Sequence, residues 1–566
     1  MASSVGLVLE LLLLLAFTAG LLHHYKDAQV GFLVYGFVFV SWYAGFLGLV
    51  LLPLDISTTA LHGEAVVHSS LLVGWKLVYW LTFFLSWVIL PVLIEYCQSG
   101  AFSPEQKLRT SIRYLLRHYA LLLTIGAVLL VYLVVVDHFT VSGLVGLAMT
   151  LANTYGLLWI IALLGHGFVS VPRKVWAFAS PTAQLRETYF RAIQIHDDRV
   201  ESMFIYEDVV RDVQAMLARF HVIEQSTIIL TPELQHIKEC LRHVSDTMGV
   251  DVEAGKKRGA PLRPPPRRAQ SSSGLIVGAA FVQDEPLPTE DQVIALHGRT
   301  KRIKSDLRRC EQAWQDICWT AQRLATWSTD TSWTSQHGIP YAASAAAVLC
   351  AAASAVIMWS ELVMGWDGGW LSPLGEIVLH AAPGLGLQLL LLLVLLYMGV
   401  CAYQSLFSIR GFGRLALHGG QNSTELSLLT TSVQQCRLQF SLGYNFLLLL
   451  NCDRVTHATA FHALFSDMRL IHFFGTDFSL YAPLCMLAIA AMTFWQGYAR
   501  LVKSLGLEQY ENLIPGQIEH EAKIHQGEAL VQKGIEKYMR LKARSDKAAA
   551  ESAAALSDGL TEALLD

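Results

Sequence analysis

The chain has 566 residues, a formal net charge of -4, 16% charged residues and 53% hydrophobic ones, with a mean hydropathy of +0.41. A soluble chain normally carries about 25% charged residues, so the composition excludes an ordinary soluble enzyme, and the near-neutral balance gives no electrostatic case for nucleic acid. The 9 cysteines are odd in number and none stands in a C-x-x-C pair, which argues against a disulfide framework or a zinc ribbon.

A helix crosses the hydrocarbon core with roughly 20 mostly apolar residues. Taken in chain order, segments at 3–22, 30–53, 71–96, 118–136, 141–168, 341–364, 377–403, 432–451 and 480–502 meet that requirement. The eighth is the weakest, because Arg437 lies near its start. The expected fold is therefore all-α: a polytopic transmembrane bundle of about nine spans with a cytosolic antiparallel helical hairpin or coiled coil. Four regions follow: a five-span membrane bundle at 1–172, the hairpin at 173–338, a four-span bundle at 339–503, and a C-terminal helix with an acidic tail at 504–566.

Lys and Arg in the short loops set the orientation. Lys107, Arg109, Arg113 and Arg117 follow the third span, Arg173 and Lys174 the fifth, and Arg410 and Arg414 the seventh. The loops after the second, fourth and sixth spans hold neither residue type. The odd-numbered loops and the C-terminus are thus expected in the cytosol and the N-terminus outside. The first segment, Leu11–Leu15 followed by Ala16-Phe17-Thr18-Ala19-Gly20, also admits a reading as a signal peptide. It lacks a basic lead-in, and cleavage would place the basic 107–117 loop outside, so a retained span is the expectation.

In the polar middle, Val209, Val213, Met216, Phe220 and Ile223 recur at 4-3-4-3 spacing. Ile303, Leu307, Cys310, Trp314, Ile317, Ala321 and Leu324 repeat the pattern. Such spacing lays an apolar seam along a helix. Two readings stand: a packed two-helix domain, or a coiled coil that pairs with protein partners. Between the seams, a basic Pro/Ser-rich linker near 251–274 holds Lys256-Lys257-Arg258 and Pro264-Pro265-Pro266. Stacked prolines cannot continue a helix, and the basic residues are either simply solvated or drawn to anionic lipids. The run 519–555, rich in Ala, Glu and Lys, reads as an exposed helix.

Signs of chemistry are few. No Walker A and no G-x-S-x-G sequence is present, and His520 and His525 are five residues apart, off a common helix face. No catalytic residue, metal site or cofactor is expected. Ionisable groups inside spans are expensive, which singles out Glu10, with Asn153 and Gln388 as further buried polarity. These three form a candidate intramembrane polar site, or simply bond between helices. Glu361, near a span end, reads as a snorkelling side chain.

Three stretches carry a likeness: Leu52-Pro53-Leu54-Asp55-Ile56-Ser57, Gly165-His166-Gly167-Phe168-Val169-Ser170-Val171-Pro172-Arg173, and Tyr444-Asn445-Phe446-Leu447. With the tryptophan-rich run Trp75–Pro91, they resemble the limb-region membrane protein family, also called the lipocalin-interacting membrane receptor (LIMR) family, and within it the limb-region domain-containing protein two branch. The resemblance covers roughly residues 30–500. It implies five spans, a cytosolic hairpin and four spans, and roles as endocytic receptors, adaptors in receptor signalling or lysosomal vitamin exporters. The expectation is a receptor-like or scaffold membrane protein, at the plasma membrane or an endomembrane, with the bilayer around it and protein partners at its hairpin. A transporter or channel using the polar site is the rival.

Overall fold

The computed structural model describes residues 2–28, 30–62, 69–136, 141–226, 231–248, 289–330, 332–363, 372–382, 384–408, 417, 419, 421, 423–450, 452–465, 478–495, 521–540 and 543–544. The linker near 251–274 lies outside them. Helices dominate in chain order: α1 Ala2–Tyr25, α2 Phe32–His62, α3 Ser69–Phe84, α4 Leu90–Gln98, α5 Pro104–Val136, α6 Val141–Ala177, α7 Pro181–Ser226, α8 Pro232–Met248 and α9 Glu290–Thr329. Then come α10 Ile339–Val363, α11 Pro373–His380, α12 Leu385–Ser408, α13 Glu425–Leu449, α14 Asp453–Thr456, α15 Ala460–Phe465 and α16 Phe478–Phe494, and α17 over 521–540. The only β contact among the described residues is one isolated parallel bridge, Lys26 with Ser423. All-helix is what hydrocarbon demands, since only a helix satisfies its own backbone groups within one segment.

Among the described residues, six helices are long and apolar enough to cross a membrane: Val8–Tyr25, Phe32–Leu61, Ser70–Gln98, Tyr155–Ala177, Thr334–Val363 and Leu385–Ser408. These match six of the nine expected segments. The other three differ for separate reasons. Segment 118–136 falls within α5, many of whose side chains lie outside the described residues. Segment 480–502 is described only to 495, leaving the shorter apolar helix Tyr481–Phe494. Segment 432–451 falls largely in α13, which is helical but too polar to qualify.

The chain divides into two compact units, one of residues 1–91, 120–194 and 313–566, the other of 92–119 and 195–312. In the first, small residues let helix backbones meet, the usual device where lipid removes the hydrophobic drive for association. A Cβ on Gly167 of α6 would lie 2.4 Å from the Cys401 carbonyl oxygen of α12, and one on Gly165 would lie 2.7 Å from the Met486 carbonyl oxygen of α16.

In the second unit, α7 and α9 run antiparallel. Arg199 meets Glu311 at 3.9 Å, Ser202 meets Cys310 at 3.4 Å, and Asp212 meets Arg299 at 2.8 Å. A two-helix picture is incomplete, because α8 shares their core through Cys240, Leu241, Val244 and Met248, packed with Val209, Val213, Phe220, Val293 and Leu296. The turn after α4 seats here: a Cβ on Gly100 would lie 2.0 Å from the Ile294 carbonyl oxygen. The buried His297 ring bonds the Gly100 carbonyl through Nδ1 at 2.6 Å and stacks on Phe102 at 4.7 Å.

Candidate functional site

The polar interior of the membrane unit is organised by α13. Of its 25 residues, 18 are buried and none is exposed, although the set includes Ser427, Thr431, Ser432, Gln435, Gln439, Ser441 and Asn445. Neighbouring helices answer several of these groups. Trp42 Nε1 of α2 donates to Ser432 Oγ at 2.9 Å. Asn445 Nδ2 donates to the buried Glu361 carboxylate of α10 at 2.6 Å. Glu361 is only 1% exposed; the snorkelling expectation is wrong for it, because Asn445 supplies the partner that makes burial affordable. Gly45 of α2 makes room for two glutamines, since a Cβ there would lie 2.6 Å from Gln435 Nε2 and 3.0 Å from Gln439 Oε1.

Asp55 carries the most concentrated polar junction. It lies on α2 past Pro53, is 2% exposed, and its carboxylate accepts from Trp75 Nε1 (3.1 Å), Ala460 N (3.2 Å) and Phe461 N (2.8 Å). It therefore holds the start of α15, where free backbone N–H groups need acceptors. The Trp75 ring meets Phe461 edge-on at 4.8 Å, and Phe461 stacks on Phe440 of α13 at 6.2 Å. Beside this cluster, a space lined by Gly48, Leu52, Trp75, Gln439 and Phe461 has room for about one water molecule. The Gln439 amide has no protein partner among the described residues, so that space meets a group in need of a hydrogen bond.

Of the three sequence-derived polar residues, two meet. Gln388 Nε2 of α12 lies 3.4 Å from both carboxylate oxygens of Glu10 on α1. Asn153 lies on α6, with its side chain outside the described residues. The seam residues divide between the units. Val209, Val213 and Phe220 are buried, with Met216 and Ile303 packed against them, and Leu307 is half-buried. Ile223 lies on α7, its side chain also outside the described residues.

Trp314, Ile317 and Leu324 belong to the membrane unit. Trp314 and Leu324 are buried and Ile317 is half-buried. Trp314 faces α17: a Cβ on Gly534 would lie 3.0 Å from both its ring and Cys318 Sγ. The expectation of an exposed C-terminal helix fails here. Ile524 and Val531 are buried, and a Cβ on Gly527 would lie 1.9 Å from the Tyr189 carbonyl oxygen. Two glycines seven residues apart carry no apolar signal, which is why the sequence pattern concealed this contact.

Three stretches of sequence thus do structural work at close helix contacts: 52–57 through Asp55, 165–173 through its glycines, and 444–447 through Asn445. Residues 3–498 match the family described as LMBR1-like membrane protein. The chain belongs to that family. A Drosophila melanogaster relative, an LMBR1 domain-containing protein 2 homolog, is 25% identical over 84% of this chain and 75% of its own. Relatives in Gallus gallus and Homo sapiens, each named G-protein coupled receptor-associated protein LMBRD2, are 24% identical over 90% of this chain, covering 80% and 81% of their own. No solved structure matches. The family and its LMBRD2 branch are those to which the motifs pointed.

Proposed function

We propose that this LMBR1-family chain is a receptor-associated scaffold of the plasma membrane. It crosses the bilayer nine times, has its N-terminus outside and its C-terminus in the cytosol, performs no catalysis, and presents the helical region 173–338 to signalling or trafficking partners. The observation that carries the reading is how the polar interior is used. Asp55, Glu361 and Ser432 bond neighbouring helices, and the space beside Gln439 takes about one water molecule rather than a solute. The receptor-associated names of the vertebrate relatives supply the partner class.

Epitope tags test the topology. Tags at the N-terminus and within 54–70 should be accessible on intact cells, and tags at 260 and 560 only after permeabilisation. Surface labelling at 260 overturns the orientation. Proximity labelling from the chain tests the partner class. G-protein coupled receptors should be enriched over multi-pass proteins of matched abundance, and no enrichment rejects the receptor association.

One contact favours a second reading, transport through the bundle: the Glu10–Gln388 pair between α1 and α12. In liposomes with a pH gradient, proton flux with the wild type and none with Glu10→Gln would establish it, because Gln cannot exchange a proton. Equal silence of both proteins leaves the scaffold standing.

A further inference from the structure

The helix that begins as α3 passes through a π turn at Leu85–Ile89 before continuing as α4. Within it the Leu90 N–H bonds the Leu85 carbonyl. The next residue, Pro91, has no N–H to give. The Ser86 carbonyl is thus left without a helical donor, and Arg437 of α13 supplies one, Nη2 donating at 3.1 Å. The guanidinium lies over Trp87 at 4.3 Å and beside Tyr155 at 5.9 Å. These two rings meet edge-on at 6.2 Å. Its Nε is buried without an acceptor, and no carboxylate pairs with it among the described residues. Arg437 is half-buried, and a guanidinium with one acceptor for its five donors is an incomplete arrangement inside a membrane.

Its position limits what completes it. Ser86, to which Arg437 donates, lies on Ser70–Gln98, a helix long and apolar enough to cross a membrane, 12 residues from its nearer end and so about 18 Å from it at 1.5 Å per residue. Lipid phosphates at the interface do not reach that depth. A free solute anion would have to leave water to reach it, whereas a helix already in the bilayer does not. From the side, however, the approach is open. Leu77, Leu81, Phe84 and Val88 are 68%, 43%, 51% and 44% exposed. Their 4-3-4 spacing forms an apolar seam of the kind one helix offers another, and it ends beside Trp87. Leu158, one turn beyond Tyr155, is also exposed.

We propose that Arg437, with this seam, is the docking site for a transmembrane helix of a partner protein carrying a carboxylate at mid-span. The planar fork of the guanidinium matches a carboxylate in two parallel hydrogen bonds. Each charge is costly alone in hydrocarbon, so pairing offsets a penalty on both chains. The inference rests on the receptor-associated reading only in taking the partner to be another membrane protein.

The test uses the full chain in phosphatidylcholine liposomes with synthetic transmembrane peptides: a Leu/Ala span with one central Glu, and matched spans with Leu or Gln there. Association is read by energy transfer between labels on chain and peptide. The wild type should bind the Glu peptide about tenfold more tightly than the Leu peptide, the range of an interhelical polar contact. Arg437→Gln should erase that preference and Arg437→Lys should keep part of it. Val88→Trp, which blocks the seam without touching the arginine, should weaken all three peptides and guards against misfolding of the arginine variants. Equal binding of the Glu and Leu peptides by the wild type, or a Glu preference that survives Arg437→Gln, overturns the proposal. So does a preference abolished by phosphatidylglycerol, which would mark the site as one for lipid phosphate. Because no receptor is present, failure here is distinct from failure to enrich receptors in cells.

Discussion

Helices α1 and α13 are built on opposite principles. The first carries five consecutive leucines, yet only 11% of residues Val8–Tyr25 are buried, and Leu9, Leu12 and Leu13 are more than half exposed. The second is rich in Ser, Thr, Gln and Asn and has no exposed residue. In water this would be inside out. In hydrocarbon, an apolar side chain gains only packing by leaving lipid for protein, whereas a polar one also gains a partner, so a polar helix can sit among the buried apolar residues of the core.

The largest effect that sharpens this contrast is expected at the junction α13 shares with α2 and α15. Asp55→Leu is a change that would be mild on the lipid face. Here it should cost about 3 kcal/mol or more, because three buried donors lose their acceptor. Thermal melting of the purified chain and its yield at the cell surface would register the loss. A melting temperature within a degree of wild type would show that the junction contributes nothing.

Next in size are the close contacts. Gly167→Leu forces a side chain against the Cys401 backbone and should cost about 1–3 kcal/mol by overpacking. Gly36→Leu on α2, with nothing within 4 Å of its added Cβ, should be neutral. Equal damage at both positions would refute close packing as the source of association.

How much of this was legible in the sequence follows from the same contrast. Six apolar helices stand out because length and hydropathy mark a segment that can sit in hydrocarbon, although hydropathy does not tell the lipid-facing α1 from the more buried α2 and α12. Segment 432–451 is the weakest of the expected spans because Arg437 lies near its start, and the other polar residues of α13, several of them bonded by neighbouring helices, lower its hydropathy further. Glu361 departs from expectation because its place near a helix end suggests water, and the Asn445 partner lies 84 residues away. The seam spacing found buried residues but not what covers them. Helix α8 covers part of one stretch and α17 covers Trp314, and neither pairing is encoded in local periodicity.

In the second compact unit one buried polar group is a histidine ring. Burial of His297 holds its pKa down to about 4 from an ordinary 6.5, outweighing the Gly100 hydrogen bond, with Lys301, His243 and Lys107 adding repulsion. The unfolded chain takes up the proton first. Stability of residues 195–312 should therefore be full above pH about 6.5 and fall as pH drops toward 4. Hydrogen exchange across α8 and α9 in the full chain, read between pH 7 and pH 4.5, should show protection declining, with a shallower slope in His297→Phe. An identical slope would remove His297 as the cause.

The smallest effect belongs to α1. Leu13→Ala, on a residue 61% exposed, should change stability by only a few tenths of a kcal/mol, within the range of surface substitutions. A loss comparable to that of a buried leucine would show that α1 is covered by another protein surface in the membrane.

The docking of α17 has a consequence for the order of synthesis. Trp314 and Cys318 emerge from the ribosome more than 200 residues before Gly534, the residue that covers them. Throughout that interval the side of the indole and the thiol that faces α17 is open while later spans are still being inserted. A nascent chain arrested before residue 521 should react at Cys318 with a thiol reagent that the finished protein resists. Completion of α17 is then the event that closes this surface to chaperones and proteases.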